Sequence, residues 1–128
     1  MIKKRILNAQ RIRRIDGGFS FIPHRFLTDG FVSALDPSQL LLYLFLVIAG
    51  DRNGISFYSY DSICSVLQMS VEDYIAARNA LMEKDLIAFD GTLFQVLELP
   101  AAAPVVPSPA PGRGLKQLIE KVAKEVSA

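Results

Sequence analysis

Residues 60–87 read YDSICSVLQMSVEDYIAARNALMEKDLI, and their pattern is the strongest indication of the fold class. Apolar residues recur at helical spacing before Gln68 and again after Ser70. Ser70 is a suitable N-cap residue, so the pattern predicts a short helix over 60–67, a tight connection and a longer helix over 71–84.

The residues that follow predict a β-hairpin. Two apolar runs, 86–89 and 93–97, are separated by Asp90-Gly91-Thr92, and Asp-Gly between two such runs is a strong hairpin signal. Upstream, Asn53-Gly54 is a turn signal that leads into a short apolar run at 55–57, which predicts a third strand.

A long apolar helix is predicted before that turn. Asp36 and Pro37 are suited to its N-cap and first helical position, and LLLYLFLVIAG carries it to about Gly50. Because it is apolar on nearly every side, we expect it to be the central buried helix. Its apolar run, 40–49, is too short to span a bilayer.

Two further elements are predicted nearer the N-terminus. The alternation in FSFI, residues 19–22, predicts a short strand that stops at Pro23, and residues 24–35 are expected to form a short helix. The resulting order predicts an α+β fold in which a three-helix core is edged by a small antiparallel sheet.

This pattern resembles the helix-turn-helix of winged-helix proteins. The positions that carry the resemblance are the apolar residues of the first helix, the cap, and the residues of the second helix and the start of the wing: Ile63, Val66, Leu67, Ser70, Tyr74, Leu81, Leu86 and Ile87. With the preceding segment it resembles the N-terminal domains of bacterial and plasmid replication-initiation proteins, over residues 19–99. The resemblance implies DNA binding. Two positions depart from it: Asp85 stands where such proteins usually have a left-handed Gly, and Arg78 stands where an apolar residue is frequent.

Charge is distributed unevenly along the 128 residues, whose formal net charge is +1. Residues 1–18 carry six basic residues against one acid, residues 19–99 carry four against ten, and residues 100–128 carry four against two. An acidic body with a basic N-terminal arm is the pattern that a function must explain.

The basic arm, residues 1–18, ends at Gly17-Gly18 and shows neither helical nor strand periodicity. It is interpreted either as a solvated tail, as an ordered strand or helix, or as a segment that contacts DNA phosphates or a minor groove. The candidate DNA-binding residues of the arm are its six cations: Lys3, Lys4, Arg5, Arg11, Arg13 and Arg14.

The second helix of the helix-turn-helix supplies the other candidate DNA-binding residues, which are Ser70, Arg78 and Asn79. Its predicted solvent face, however, carries Glu72, Ala76, Asn79 and Glu83 in place of the basic and amide side chains that usually contact base edges. The predicted tip of the wing, 90–92, also has no lysine or arginine to contact a phosphate.

Beyond residue 99, five of the fifteen residues 100–114 are proline, which predicts a semi-extended linker. Residues 115–128 then predict an amphipathic helix. The helix either folds back on the domain or binds a partner, which would be another protein or a second copy in a homodimer. The candidate partner-binding residues are those of its apolar stripe: Leu115, Leu118, Ile119, Val122 and Val126.

No pattern of catalytic chemistry was found, so we expect a binding protein and not an enzyme. Cys64 is a single cysteine, interpreted as a small core residue, and His24 is a single histidine, expected at the surface. No phosphate-binding loop, catalytic pair of carboxylates or metal-ligand spacing occurs, so no cofactor and no metal are expected. The absence of a signal-peptide pattern predicts a soluble cytoplasmic protein that does not bind membranes.

Two functions remain open at this point. The first is binding of double-stranded DNA, as a replication-initiation-like factor or a transcriptional regulator, with the arm supplying much of the electrostatic attraction. The second is protein–protein interaction, in which apolar surfaces and the C-terminal helix recruit a partner. The fold and the arm favour the first, whereas the acidic body and the uncharged wing favour the second.

Overall fold

The computed structural model of the chain describes residues 2–104. The predictions for 105–128, which include the helix over 115–128 and its five apolar residues, lie outside the described residues. The described part holds four α-helices and three β-strands in this order: α1 Arg25–Thr28, α2 Pro37–Ala49, β1 Ile55–Ser56, α3 Tyr60–Leu67, α4 Val71–Glu83, β2 Ile87–Phe89 and β3 Phe94–Val96. The prediction of an α+β architecture is confirmed.

The starts of the two long helices are fixed by local hydrogen bonds. The Asp36 carboxylate accepts the Gln39 N–H at 2.8 Å, and the Gln39 side chain accepts the Asp36 N–H, which completes a capping box at α2. At α4 the Ser70 Oγ accepts the Asp73 N–H at 3.1 Å. Both predicted N-caps are therefore confirmed.

Within residues 2–104, two residues other than glycine adopt the left-handed conformation, and each ends a helix. Gln68 has φ 53° between α3 and α4, where the Met69 N–H donates to the Cys64 carbonyl. Asp85 has φ 59° after α4, where the Leu86 N–H donates to the Leu81 carbonyl. Asp85, which the sequence places where a left-handed glycine is usual in similar proteins, is itself left-handed. These two turns set the direction in which α4 and β2 leave the preceding helix.

The three strands form an antiparallel sheet in the order β1-β3-β2, with Ile55 opposite Gln95 and Ala88 opposite Gln95 on the other side. The predicted hairpin is confirmed, because β2 and β3 pair around Asp90-Gly91. Gly54 lets β1 approach the hairpin closely: it has φ 80°, and a Cβ there would lie 2.7 Å from the Val96 carbonyl oxygen.

The core lies between α2, α4 and the sheet. Its largest fully buried side chains come from these layers, from α3 and from the segments just before α2 and β2: Phe31, Leu42, Tyr43, Leu46, Ile63, Leu81, Leu86 and Phe94. The prediction that α2 would be buried on nearly every side is only partly right. Leu41 and Ile48, on the face turned away from α4 and the sheet, are 45% and 75% exposed.

The predicted strand over 19–22 is wrong, and the helix over 24–35 is shorter than expected. Phe19 and Phe21 are exposed and pair with none of the described strands. An alternating tetrapeptide needs a neighbouring strand to bond with, and residues 19–22 pair with none of β1, β2 and β3. After α1 the left-handed Gly30 (φ 87°) interrupts the helix, and a 3₁₀ turn over Val32–Ala34 follows.

Candidate nucleic-acid interface

The basic arm is exposed along its whole described length, residues 2–18. A single 3₁₀ turn, Ala9–Arg11, is capped by the Asn8 Oδ1, which accepts the Gln10 N–H at 3.0 Å. In the described part of the arm, Arg14 lies 3.5 Å from the Asp16 carboxylate, and the other five cations make no ion pair. The arm therefore presents its positive charge to solvent.

Arg25, a cation of the body, has a structural role. Its guanidinium donates to the carbonyl oxygens of Leu99, Pro100 and Ala101 at 3.3, 2.6 and 3.3 Å, and it pairs with the Asp29 carboxylate at 3.0 Å. It also lies 5.5 Å from the centre of the Phe31 ring. This arginine fastens the segment after β3 to α1, so its charge is largely directed inward.

The body uses Lys84 in a similar way. The ammonium group donates to the Ala34 carbonyl at 2.8 Å and to the Gln39 Oε1 at 2.6 Å. Burial lowers the pKa of Lys84 from its ordinary value, against the opposing influence of Asp36 and Glu83. This lysine ties the end of α4 to the start of α2.

Arg78, a predicted DNA-binding residue, is held against two aromatic rings. Its guanidinium carbon lies 5.6 Å from the centre of the Tyr74 ring and 5.1 Å from that of Phe89. Its Nε and Nη2 donate to the Oδ1 of Asn79, another predicted residue, at 3.4 and 3.3 Å. Arg78 thus lies at the side of α4 that faces the hairpin, and Asn79 is its exposed neighbour.

The exposed face of α4 is acidic and apolar. The predicted solvent-facing residues Glu72, Ala76, Asn79 and Glu83 are all exposed, and Ser70 is engaged as the N-cap. Sequence reasoning missed three apolar side chains that share this exposure, Val71 at 43%, Ile75 at 41% and Met82 at 37%. Arg78, the one cation of α4, lies beside the aromatic rings of Tyr74 and Phe89 and not on this face.

A cleft of about 610 Å³ lies between the 57–60 loop, α4 and the turn of the hairpin. We call it the aromatic cleft, and the side chains that matter for its chemistry are Phe57, Tyr58, Tyr60, Tyr74, Arg78 and Phe89. Sequence reasoning did not single out this loop. The available signal was the run FYSY, which places three aromatic residues within four positions between a strand and a helix.

Neither of the other two candidate reactive side chains forms a site. His24 is exposed just before α1, as expected. Cys64 is partly buried against the core, and burial together with the nearby Asp61 raises the pKa of its thiol. In residues 2–104 no cluster of histidine, cysteine and acidic residues has the arrangement of a metal site. None of the helices described is long and apolar enough to cross a membrane.

The chain was compared with protein-family models, with curated proteins and with solved structures, and no match was found in any of the three comparisons.

Proposed function

We propose that the chain is a DNA-binding winged helix-turn-helix protein, acting in replication initiation or transcription regulation, whose exposed basic arm supplies the phosphate contacts. One observation carries this proposal. The arm presents six cations to solvent, whereas three of the four cations of the body are held by carbonyl groups, amide oxygens or aromatic rings. The strongest attraction for a polyanion therefore comes from the arm.

The arrangement of elements supports the fold part of this proposal. In it, α3 and α4 form the helix-turn-helix, with the left-handed Gln68 in the connection, and β2 and β3 form the wing. The acidic start of α4 opposes close approach to phosphates, so the helix orients the protein on the duplex without supplying electrostatic affinity. Glu72 and Asp73 instead interact favourably with the helix dipole.

Salt-dependent titration of a generic DNA duplex tests the proposal. Each neutralised phosphate contributes a slope of about −0.9 to the dependence of log affinity on log salt concentration, so an arm with six cations contributes no more than about −5. We expect removal of residues 1–16 to abolish most of the affinity and to flatten the slope by up to that amount.

Two full-length variants serve as controls. Replacing the six cations of the arm by glutamine separates charge from chain length and is expected to act like the deletion. Arg52→Gln removes an exposed body cation with no ion pair in residues 2–104, and it is expected to change the slope by at most about 1. Unchanged affinity and slope after neutralisation of the arm would refute the proposal.

A second function, recruitment of a protein partner, is favoured by the exposed Val71, Ile75 and Met82 on α4. The double variant Glu72→Gln/Asp73→Asn discriminates between the two. If α4 faces DNA, removing two carboxylates should tighten duplex binding several-fold at low salt, with melting temperature as the control for folding. If the folded variant binds no better than the wild type, α4 does not face DNA, and the protein-recruitment function is preferred.

A further inference from the structure

We infer that the aromatic cleft binds nucleotides of a single strand, with nucleobases stacked on its exposed rings and a phosphate held by Arg78. This inference rests on the proposed function, because it takes the ligand to be a nucleic acid. It deepens that function by assigning a second nucleic-acid site to a surface separate from the arm.

The charge of Arg78 is fixed in position but not neutralised. Tyr74 and Phe89 hold the guanidinium from the side of the protein, and the Asn79 Oδ1 accepts from its Nε and Nη2. Within residues 2–104 the ion pairs involve Arg14 and Arg25, so no described carboxylate pairs with Arg78, and its Nη1 has no acceptor there. An anionic group that enters the cleft meets a preoriented donor.

The rings opposite this charge are unusually open to solvent. Phe57, Tyr58 and Tyr60 are 68%, 45% and 57% exposed, although they follow one another closely in the chain. Tyr58 is held edge-on against Phe45, with the ring centres 5.2 Å apart, so part of this surface is fixed in orientation. Exposed, oriented aromatic faces favour a ligand that itself has flat faces.

A nucleotide supplies both complementary features within a single repeating unit, a flat base and a negatively charged phosphate. The bases of a duplex are already stacked on one another, so only an unpaired strand can place base faces on these rings. A cleft of about 610 Å³ is within the range for small-molecule sites. An acidic, aromatic peptide is the other class of ligand with these features, and the experiment includes it as an outcome.

The experiment measures binding of a fluorescein-labelled oligothymidylate of about 12 nucleotides, within the usual site size of single-strand binders. Full-length chains are used throughout. The test variant is Phe57→Ala, and the matched control is Phe19→Ala, because Phe19 has nearly the same exposure, 67%, but lies outside the cleft. We expect about 5- to 100-fold weaker binding for Phe57→Ala and no change for Phe19→Ala.

Intrinsic tyrosine fluorescence gives a second measurement that reports stacking directly. The chain has no tryptophan and four tyrosines, three of which line the cleft. We expect unlabelled oligothymidylate to quench this emission, and Phe57→Ala to retain the tyrosines while shifting the quenching to higher oligonucleotide concentration. Arg78→Gln is expected to weaken binding and to lower its dependence on salt.

The outcomes separate this inference from the proposed function. The cleft inference is refuted if the oligothymidylate binds without quenching tyrosine emission, or if it binds Phe57→Ala as tightly as the wild type. The arm proposal still stands in that case, provided that the wild type binds duplex through its arm. If the arm variants lose neither ligand, the proposed function fails on its own. If Phe57→Ala and Arg78→Gln impair binding of a glutamate–tyrosine copolymer but not of the oligonucleotide, the site is for a protein partner and the inference is wrong.

Discussion

Replacing Arg25 by methionine should destabilise the fold and release the segment that follows β3. Arg25 makes contacts across more than seventy positions of sequence, to the carbonyl oxygens of Leu99, Pro100 and Ala101. Methionine keeps much of the apolar stem of the side chain but lacks the guanidinium, which donates the hydrogen bonds and whose carbon lies 5.5 Å from the centre of the Phe31 ring. The loss is therefore that of the guanidinium and not of packing.

The expected magnitude follows from the geometry of these contacts. A hydrogen bond to a charged group contributes about 1.5–3 kcal/mol, and the Arg25 side chain is 37% exposed, so solvent reduces each contribution. The 2.6 Å bond to Pro100 should dominate, with smaller contributions from the two at 3.3 Å. We expect Arg25→Met to lower the free energy of unfolding by about 2–3 kcal/mol in total.

Urea denaturation followed by circular dichroism measures this change, and limited proteolysis reports whether residues 99–104 become accessible in the folded state. Asp29→Asn is the matched control, because it removes the ion pair of Arg25 and leaves the carbonyl contacts in place. An exposed pair of this kind contributes at most about 1 kcal/mol. If Asp29→Asn were as destabilising as Arg25→Met, or if protection of 99–104 were unchanged, the carbonyl contacts would not have the role assigned to them.

Two further predictions concern turns. Asp85→Gly should raise the free energy of unfolding by up to about 1 kcal/mol, because φ is 59° there and glycine adopts this conformation without steric cost; a lower urea midpoint would contradict this. At Asp90, hydrogen bonds from the backbone of Leu93 and Thr92 hold the pKa of the carboxyl below its ordinary 3.8. The stabilising effect of the ionised Asp90 carboxylate is thus present above pH 3.8 and is lost as the pH falls through the lowered pKa. Asp90→Asn should therefore flatten the acid side of the plot of melting temperature against pH. An acid side that is unchanged in this variant would exclude the role.

Local sequence determined most of the secondary structure, because the relevant interactions lie within a few positions of one another. Asp36 caps α2, Ser70 caps α4, and Asp90-Gly91 closes the hairpin, and each was identified from residue type and spacing alone. Asp85 was singled out through the resemblance, as standing where a left-handed glycine is usual, and its φ is 59°.

Tertiary structure decided the rest, because the outcome depended on partners distant in sequence. The alternation of residues 19–22 formed no strand, since a strand needs a partner that local sequence does not supply and these residues pair with none of the described strands. The contacts of Arg25, Arg78 and Lys84 likewise could not be inferred from a count of charges. Because these three cations are held by other groups of the domain, the arm is the main exposed source of positive charge among residues 2–104. The aromatic cleft arises only when the loop 57–60, α4 and the hairpin meet, because its surface is shared by segments that lie up to thirty-five positions apart in the chain.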